Sequence, residues 1–222
     1  MRLLIVNADD LGYDPEIDRG ILEAHVRGIV TSTTAMVGTP FSASALRSAP
    51  ATLGVGLHAV LAPGLPAAEV ERTLRDQIAR FEDLRGAPPS HLDSHKHAHA
   101  EAPALAAFVR VARERGLPVR AIDDPTRAAL RAGGVSVADC FLGDAGLRPA
   151  WTEERLAAAI AALGEGTAEV MAHPGYRPSH ARTSFGVERE VELAALCAPS
   201  VRAAVERAGV RLGGYGALRS YR

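Results

Sequence analysis

Four of the chain's eight histidines fall within nine positions, in the run His91-Leu92-Asp93-Ser94-His95-Lys96-His97-Ala98-His99. Side chains of an extended stretch alternate sides, so His91, Asp93, His95, His97 and His99 would share one face. Imidazole and carboxylate are the ligand types of zinc, cobalt, nickel and manganese. An acidic pair, Asp9-Asp10, follows the apolar run at 3–6. One carboxylate and two histidines leave positions on a bound ion open for water and substrate. An ion held that way acidifies its water and polarises a carbonyl oxygen. Of two adjacent aspartates, one can bind the ion while the other receives a proton, and a further histidine can protonate a leaving amine. Together these parts describe metal-assisted hydrolysis of an amide or ester.

Each residue alone also has a plain structural use. An Asp-Asp pair after a strand often caps a turn or helix, His58 can pack with its ring nitrogens on backbone, and His173 can sit at a strand exit. A surface histidine cluster also binds metal adventitiously. His25, inside a helix, and His180, in a polar loop, read as structural or surface residues. His97 and His99 read as standing behind the ligands or lining the mouth as substrate contacts, because a site for one ion needs only two or three histidines. The weight lies in the conjunction.

The elements must bring these groups together. Residues 3–6 form an apolar run expected of a covered strand, followed by a polar turn at 7–12. Asp14-Pro15 marks a helix start, Ile17, Ile21 and Ala24 its stripe, and Gly28 its end. Further strands are expected at 29–37, 53–61, 91–99, 118–122, 135–142, 169–173 and, weakly, 210–212. Helices are expected at 42–47, at 66–85 through Val70, Leu74, Ile78, Phe81 and Leu84, and around Leu105, Phe108, Val109 and Ala112. Others are expected at 152–163, with Thr152 as N-cap, and at 187–208 with a break near Pro199. Strand and helix alternate, which predicts an α/β fold, a distorted or incomplete (β/α) barrel in one domain over 1–222. Such a barrel opens the carboxyl ends of its strands onto one face. Asp9, Asp10, His58, His95 and His173 would then meet at a single mouth.

Composition bounds the class. The net charge of −1, from 25 basic and 26 acidic residues well interspersed, gives no footprint for nucleic acid or an anionic membrane. No apolar run reaches the ~18–20 residues of a membrane span. Cys140 and Cys197 are far apart and form no CxxC, and the first apolar run is too short for a signal peptide. A cytoplasmic location is the expectation, with a homo-oligomer left open.

Five segments carry a family resemblance: Asn7-Ala8-Asp9-Asp10-Leu11-Gly12, Val30-Thr31-Ser32-Thr33-Thr34-Ala35-Met36, Gly56-Leu57-His58, the histidine run, and Met171-Ala172-His173-Pro174-Gly175-Tyr176. The sequence resembles the YdjC-like carbohydrate deacetylases, which include chitooligosaccharide deacetylases. That resemblance implies a polysaccharide-deacetylase-like barrel, one divalent metal ion (magnesium by family habit) and removal of an acetyl group from an N-acetylated sugar. It implies Asp10, His58 and His95 as metal ligands, Asp9 as base and His173 as acid. Arg120 and Asp139 fall where the family has polar residues near the substrate. The ligand types themselves favour zinc, cobalt, nickel or manganese over a hard, oxygen-preferring ion. The connection after His58 is short and proline-rich, and aromatic content is 5% with one tryptophan, which favours a mono- or short oligosaccharide. Two other readings remain: a hydrolase of a non-sugar amide or ester on the same scaffold, and a non-catalytic sugar-binding relative.

Overall fold

The computed structural model describes residues 2–143 and 147–220. Its centre is the strand β1 (Arg2–Leu11), in which Leu3 to Leu11 are all buried. The strand runs through the expected polar turn because it is flanked by parallel partners on both sides. Asn7 pairs with Ser32 of β2 (Ser32–Ala35) and with Met171 of β6 (Gly166–Ala172). Burying Asn7, Asp9 and Asp10 is tolerable only because each is paired with buried polar groups.

Outward from β2 lie β3 (Gly54–Ala59) and β4 (Leu92–Ser94), and outward from β6 lies β5 (Cys140–Leu142). The order is β4-β3-β2-β1-β6-β5, all pairs parallel, with β7 (Val210–Leu212) pairing with the start of β1. Seven strands among the described residues thus make a half-barrel, in place of the eight expected. Residues 118–122 supply only a single bridge, Leu92 to Val119, and 135–142 supplies only its last three residues as strand.

The helices follow their sequence signals. In α1 (Pro15–Arg27) the Asp14 side chain accepts from Glu16 N–H and Pro15 opens the helix. α2 (Ser42–Ser48) is the expected short helix. α3 (Ala67–Arg85) buries Val70, Leu74, Ile78 and Phe81, each worth roughly 1.5–3 kcal/mol of transfer free energy, and ends on left-handed Gly86. α4 (Ala102–Arg115) packs along α3. α5 (Asp124–Ala132), absent from the sequence reading, starts at Asp123, whose side chain accepts from Thr126 N–H. α6 (Glu153–Ala161) is capped by Thr152, and Pro199 separates α7 (Val187–Cys197) from α8 (Pro199–Arg207). Among the described residues, no helix is long and apolar enough to cross a membrane.

The histidine run is not a strand. β4 stops at Ser94, and 95–100 winds into a tight turn in which Lys96 and His97 both take left-handed backbone, φ 56° and 55°. The shared face of five ligand-type side chains therefore does not form. His91 and Asp93 point into the core from β4, His95 turns to the sheet's carboxyl edge, and His99 folds back under it.

Candidate active site

A bulge in β1 aims both aspartates. Between the pairs Ala8–Thr33 and Leu11–Ala35, β1 carries one residue more than β2. Asp10 absorbs it with φ 78°, an unusual conformation for a residue with a side chain. Neighbouring residues of a regular strand diverge, but here Asp9 and Asp10 line the same cleft.

Asp10 Oδ1 lies 3.5 Å from His58 Nε2 and 3.5 Å from His95 Nδ1. Those separations are too long for good hydrogen bonds, and Oδ1 is buried with no partner. An ion with tetrahedral bonds of about 2.0–2.1 Å holds its ligand atoms about 3.4 Å apart. The three side chains therefore fit a single cation. Asp10 Oδ2 instead accepts from Arg189 Nη2 at 2.6 Å. Burial would raise the Asp10 carboxyl, but His95 and Arg189 hold it well below the ordinary carboxylate range.

Behind this trio lies a buried polar network. His58 Nδ1 meets Asp93 Oδ1 at 2.7 Å, and Asp93 Oδ2 accepts from Arg120 Nη1 at 2.8 Å and Thr34 Oγ1 at 3.0 Å. Burial disfavours the imidazolium of His58, yet Asp93 outweighs it and the pKa rises to about 9. Arg120 also grips both oxygens of Asp9 at 2.7 Å and Glu169 through Nε at 2.7 Å. Burial raises the Asp9 carboxyl, and Arg120 more than offsets it, so Asp9 stays ionised. Asp9, His58 and Asp93 are also close enough to hold an ion. The guanidinium already fills that position with positive charge.

The cleft has a volume of about 320 Å³. Tyr13, Lys96, His97, Arg148 and His173 line it, together with the loop Arg182-Thr183-Ser184-Phe185. His173 sits just past β6; its N–H donates to Glu192 Oε2 at 2.7 Å and its ring lies 5.3 Å from that of Phe185. Residues 3–207 match the family of YdjC-like proteins.

The chain belongs to the YdjC-like family. This YdjC-like chain is 36% identical to a carbohydrate deacetylase of Geobacillus stearothermophilus, covering 95% of this chain and 96% of the relative. It is 33% identical to a chitooligosaccharide deacetylase of Salmonella typhimurium, covering 96% and 98%. Among solved structures, an Enterococcus faecalis protein described as a candidate for cellobiose-phosphate cleavage superposes with TM-score 0.87 at 28% identity, covering 98% of both chains. A family 4 acetyl xylan esterase from Clostridium thermocellum, solved with a cobalt ion, gives TM-score 0.59 at 12% identity over 99% and 91%, which shows the shared polysaccharide-deacetylase fold.

The structure of this YdjC-like chain gathers Asp9, Asp10, His58, His95, His97 and His173 around one cleft. Three expected substrate contacts lie elsewhere. Arg120 is fully buried beneath Asp9, spending its donors on three carboxylates. His99 is fully buried, with Nδ1 on Ser94 Oγ at 2.7 Å and Nε2 on the Arg120 carbonyl at 3.2 Å. Burial pushes its pKa down to about 3, so it is a neutral core residue. Asp139 sits at the opposite edge of the sheet, holding the N–H and hydroxyl of Thr167 and pairing with Arg131. His25 bonds to the Val30 carbonyl and Thr52, as a structural histidine would.

Two site residues escaped the sequence reading. Arg189 and Glu192 lie on the buried side of α7 with Leu193 and Leu196, and they reach Asp10 and His173 respectively. Charged residues at i and i+3 on an apolar stripe were the available signal.

Proposed function

We propose that this protein removes the acetyl group of an N-acetylated sugar by metal-assisted hydrolysis. The observation that carries the reading is the partnerless, buried Asp10 Oδ1 standing between His58 Nε2 and His95 Nδ1, with Asp9 beside it in the same cleft. The deacetylase names of relatives that match nearly end to end support the sugar amide as substrate. A cleft of about 320 Å³ suits a small ligand, such as one sugar ring with its acetamide.

Asp10, His58 and His95 would hold a divalent ion, and two imidazoles with one carboxylate favour zinc, cobalt, nickel or manganese over magnesium. When bound, the ion supplies an acidified water and a positive charge for the acyl oxygen. Asp9, held ionised by Arg120, receives the proton of the attacking water. His173, across the cleft, delivers a proton to the departing amine. Asp93, bonded to His58 Nδ1, keeps the other ring nitrogen directed at Asp10. The products are acetate and an amino sugar.

The test is acetate release from N-acetylglucosamine and di-N-acetylchitobiose, set against a simple acyl ester, with metal content measured on protein lacking a histidine tag. Near one ion per chain and release from the sugars is the expected result. Asp9→Asn and His173→Gln should keep the ion while slowing turnover by ~10²–10⁴. Full activity in a His95→Ala protein, or hydrolysis of the ester alone, would refute the reading.

A further inference from the structure

Arg189 joins the ligand set to α7 by a fixed pair of bonds. Its side chain is 2% exposed, Nη2 donates to Asp10 Oδ2 at 2.6 Å, and Nε donates to the Phe185 carbonyl at 3.0 Å. The guanidinium is planar, so anchoring two of its edges leaves it no freedom to turn. The oxygens of Asp10 thus face opposite surroundings: Oδ2 is occupied by a cation, and Oδ1 is partnerless between two imidazoles. A carboxylate able to rotate would offer both oxygens to an ion and occupy two of its positions. The bulged backbone of Asp10 sets where the side chain starts, and Arg189 sets how it is turned.

We propose that Arg189 is a positioning residue that reserves Asp10 Oδ1 for the ion by tying up Oδ2, so that the aspartate binds through one oxygen and leaves room for water and substrate. This inference rests on the metal reading above. Glu192, three residues along the same helix, serves the His173 backbone and makes no contact with the ligand trio. Arg189 is thus the member of that charged pair that acts on the ligands.

Cobalt(II) tests it without any turnover measurement, because visible absorption weakens as the coordination number of that ion rises. The apo protein is titrated with cobalt(II) as wild type, Arg189→Met and Arg189→Gln, each checked for a cooperative thermal transition. Wild type should bind one ion. Both variants should keep that stoichiometry and lose absorption intensity as the freed Oδ2 joins the ion. The glutamine variant keeps a donor for the Phe185 carbonyl where Nε stands but is too short to reach Oδ2, and so covers the case in which the methionine variant does not fold. An unchanged spectrum in a folded variant would overturn the proposal. So would loss of the ion, since Arg189 would then be needed merely to place Asp10. Failure of the wild type to bind cobalt would instead overturn the metal reading, and this inference with it.

Discussion

Asp93 Oδ1 lies 2.7 Å from His58 Nδ1, on the opposite side of the imidazole from Asp10. The aspartate fixes which ring nitrogen is free to face the candidate ion. Such carboxylate–histidine contacts orient ligands and raise their basicity. Asp93→Asn should lower metal affinity by about 10–100-fold. Competition with a chelator measures it, and an unchanged affinity would separate Asp93 from the site.

Arg120 contacts Asp9, Asp93 and Glu169 at once, and none of the four side chains is more than 3% exposed. Removing one member of a buried ionic group leaves charges uncompensated, at about 3–5 kcal/mol. Arg120→Met should lower unfolding free energy by that amount, read from denaturant midpoints. A variant as stable as the parent would mean that the three acids find other partners.

Asp18 gives the fold a pH dependence that can be isolated. Its carboxylate accepts from Gly12 N–H at 2.5 Å, but burial, with Asp14 nearby, pushes its pKa up to about 7. The folded state therefore holds this proton more tightly than the unfolded chain does. Stability from the group is complete at about pH 4 and drains away as the pH climbs to about 7. Asp18→Asn keeps an acceptor for Gly12 and carries no charge. It should match the parent near pH 4 and exceed it at pH 8, by up to about 4 kcal/mol before residual solvent screening is counted. Parallel stability curves for the two proteins would rule this out.

Gly56 lies against the His91 ring. A Cβ built there would stand 2.5 Å from His91 Cε1 and Nδ1. The ring cannot retreat, being stacked on Tyr215 at 3.7 Å and bonded to Asn7 Oδ1 at 3.0 Å. Gly56→Ala should cost about 1–3 kcal/mol, as overpacked cores do. Thermal unfolding at neutral pH measures it.

Much of this was legible in the sequence where side-chain pattern and backbone demand agree. Asp14-Pro15, the stripe of α3 and Thr152 each announced a helix whose packing follows the same spacing. The chemical residues at the strand ends were legible for the same reason, since a parallel sheet converges them. The misses have separate causes. β1 runs on through Asn7-Ala8-Asp9-Asp10 because polar side chains distant in sequence satisfy it, which no local pattern reports. The left-handed turn at Lys96 and His97 uses residue types that give no warning of it. α5 buries only Thr126 and Leu130, too little for a stripe, although Asp123-Asp124-Pro125 repeats the grammar that revealed α1. His99 drew a functional reading through residue type and Arg120 through the family resemblance, and their burial depends on contacts made across the sheet.

Gly20 and Gly175 meet backbone to backbone, since a Cβ on Gly20 would lie 2.4 Å from the Gly175 Cα. Gly175 is hemmed in again by Ile17 and Arg189, each 3.2 Å from where its own Cβ would stand. The first helix and the segment that follows His173 are thus spaced by hydrogen atoms alone. A single methyl at either glycine would act as a shim, spreading the wall that carries His173 from the side that carries the aspartates. In this protein the gauge of the candidate site is kept by two glycines that stand behind its lining.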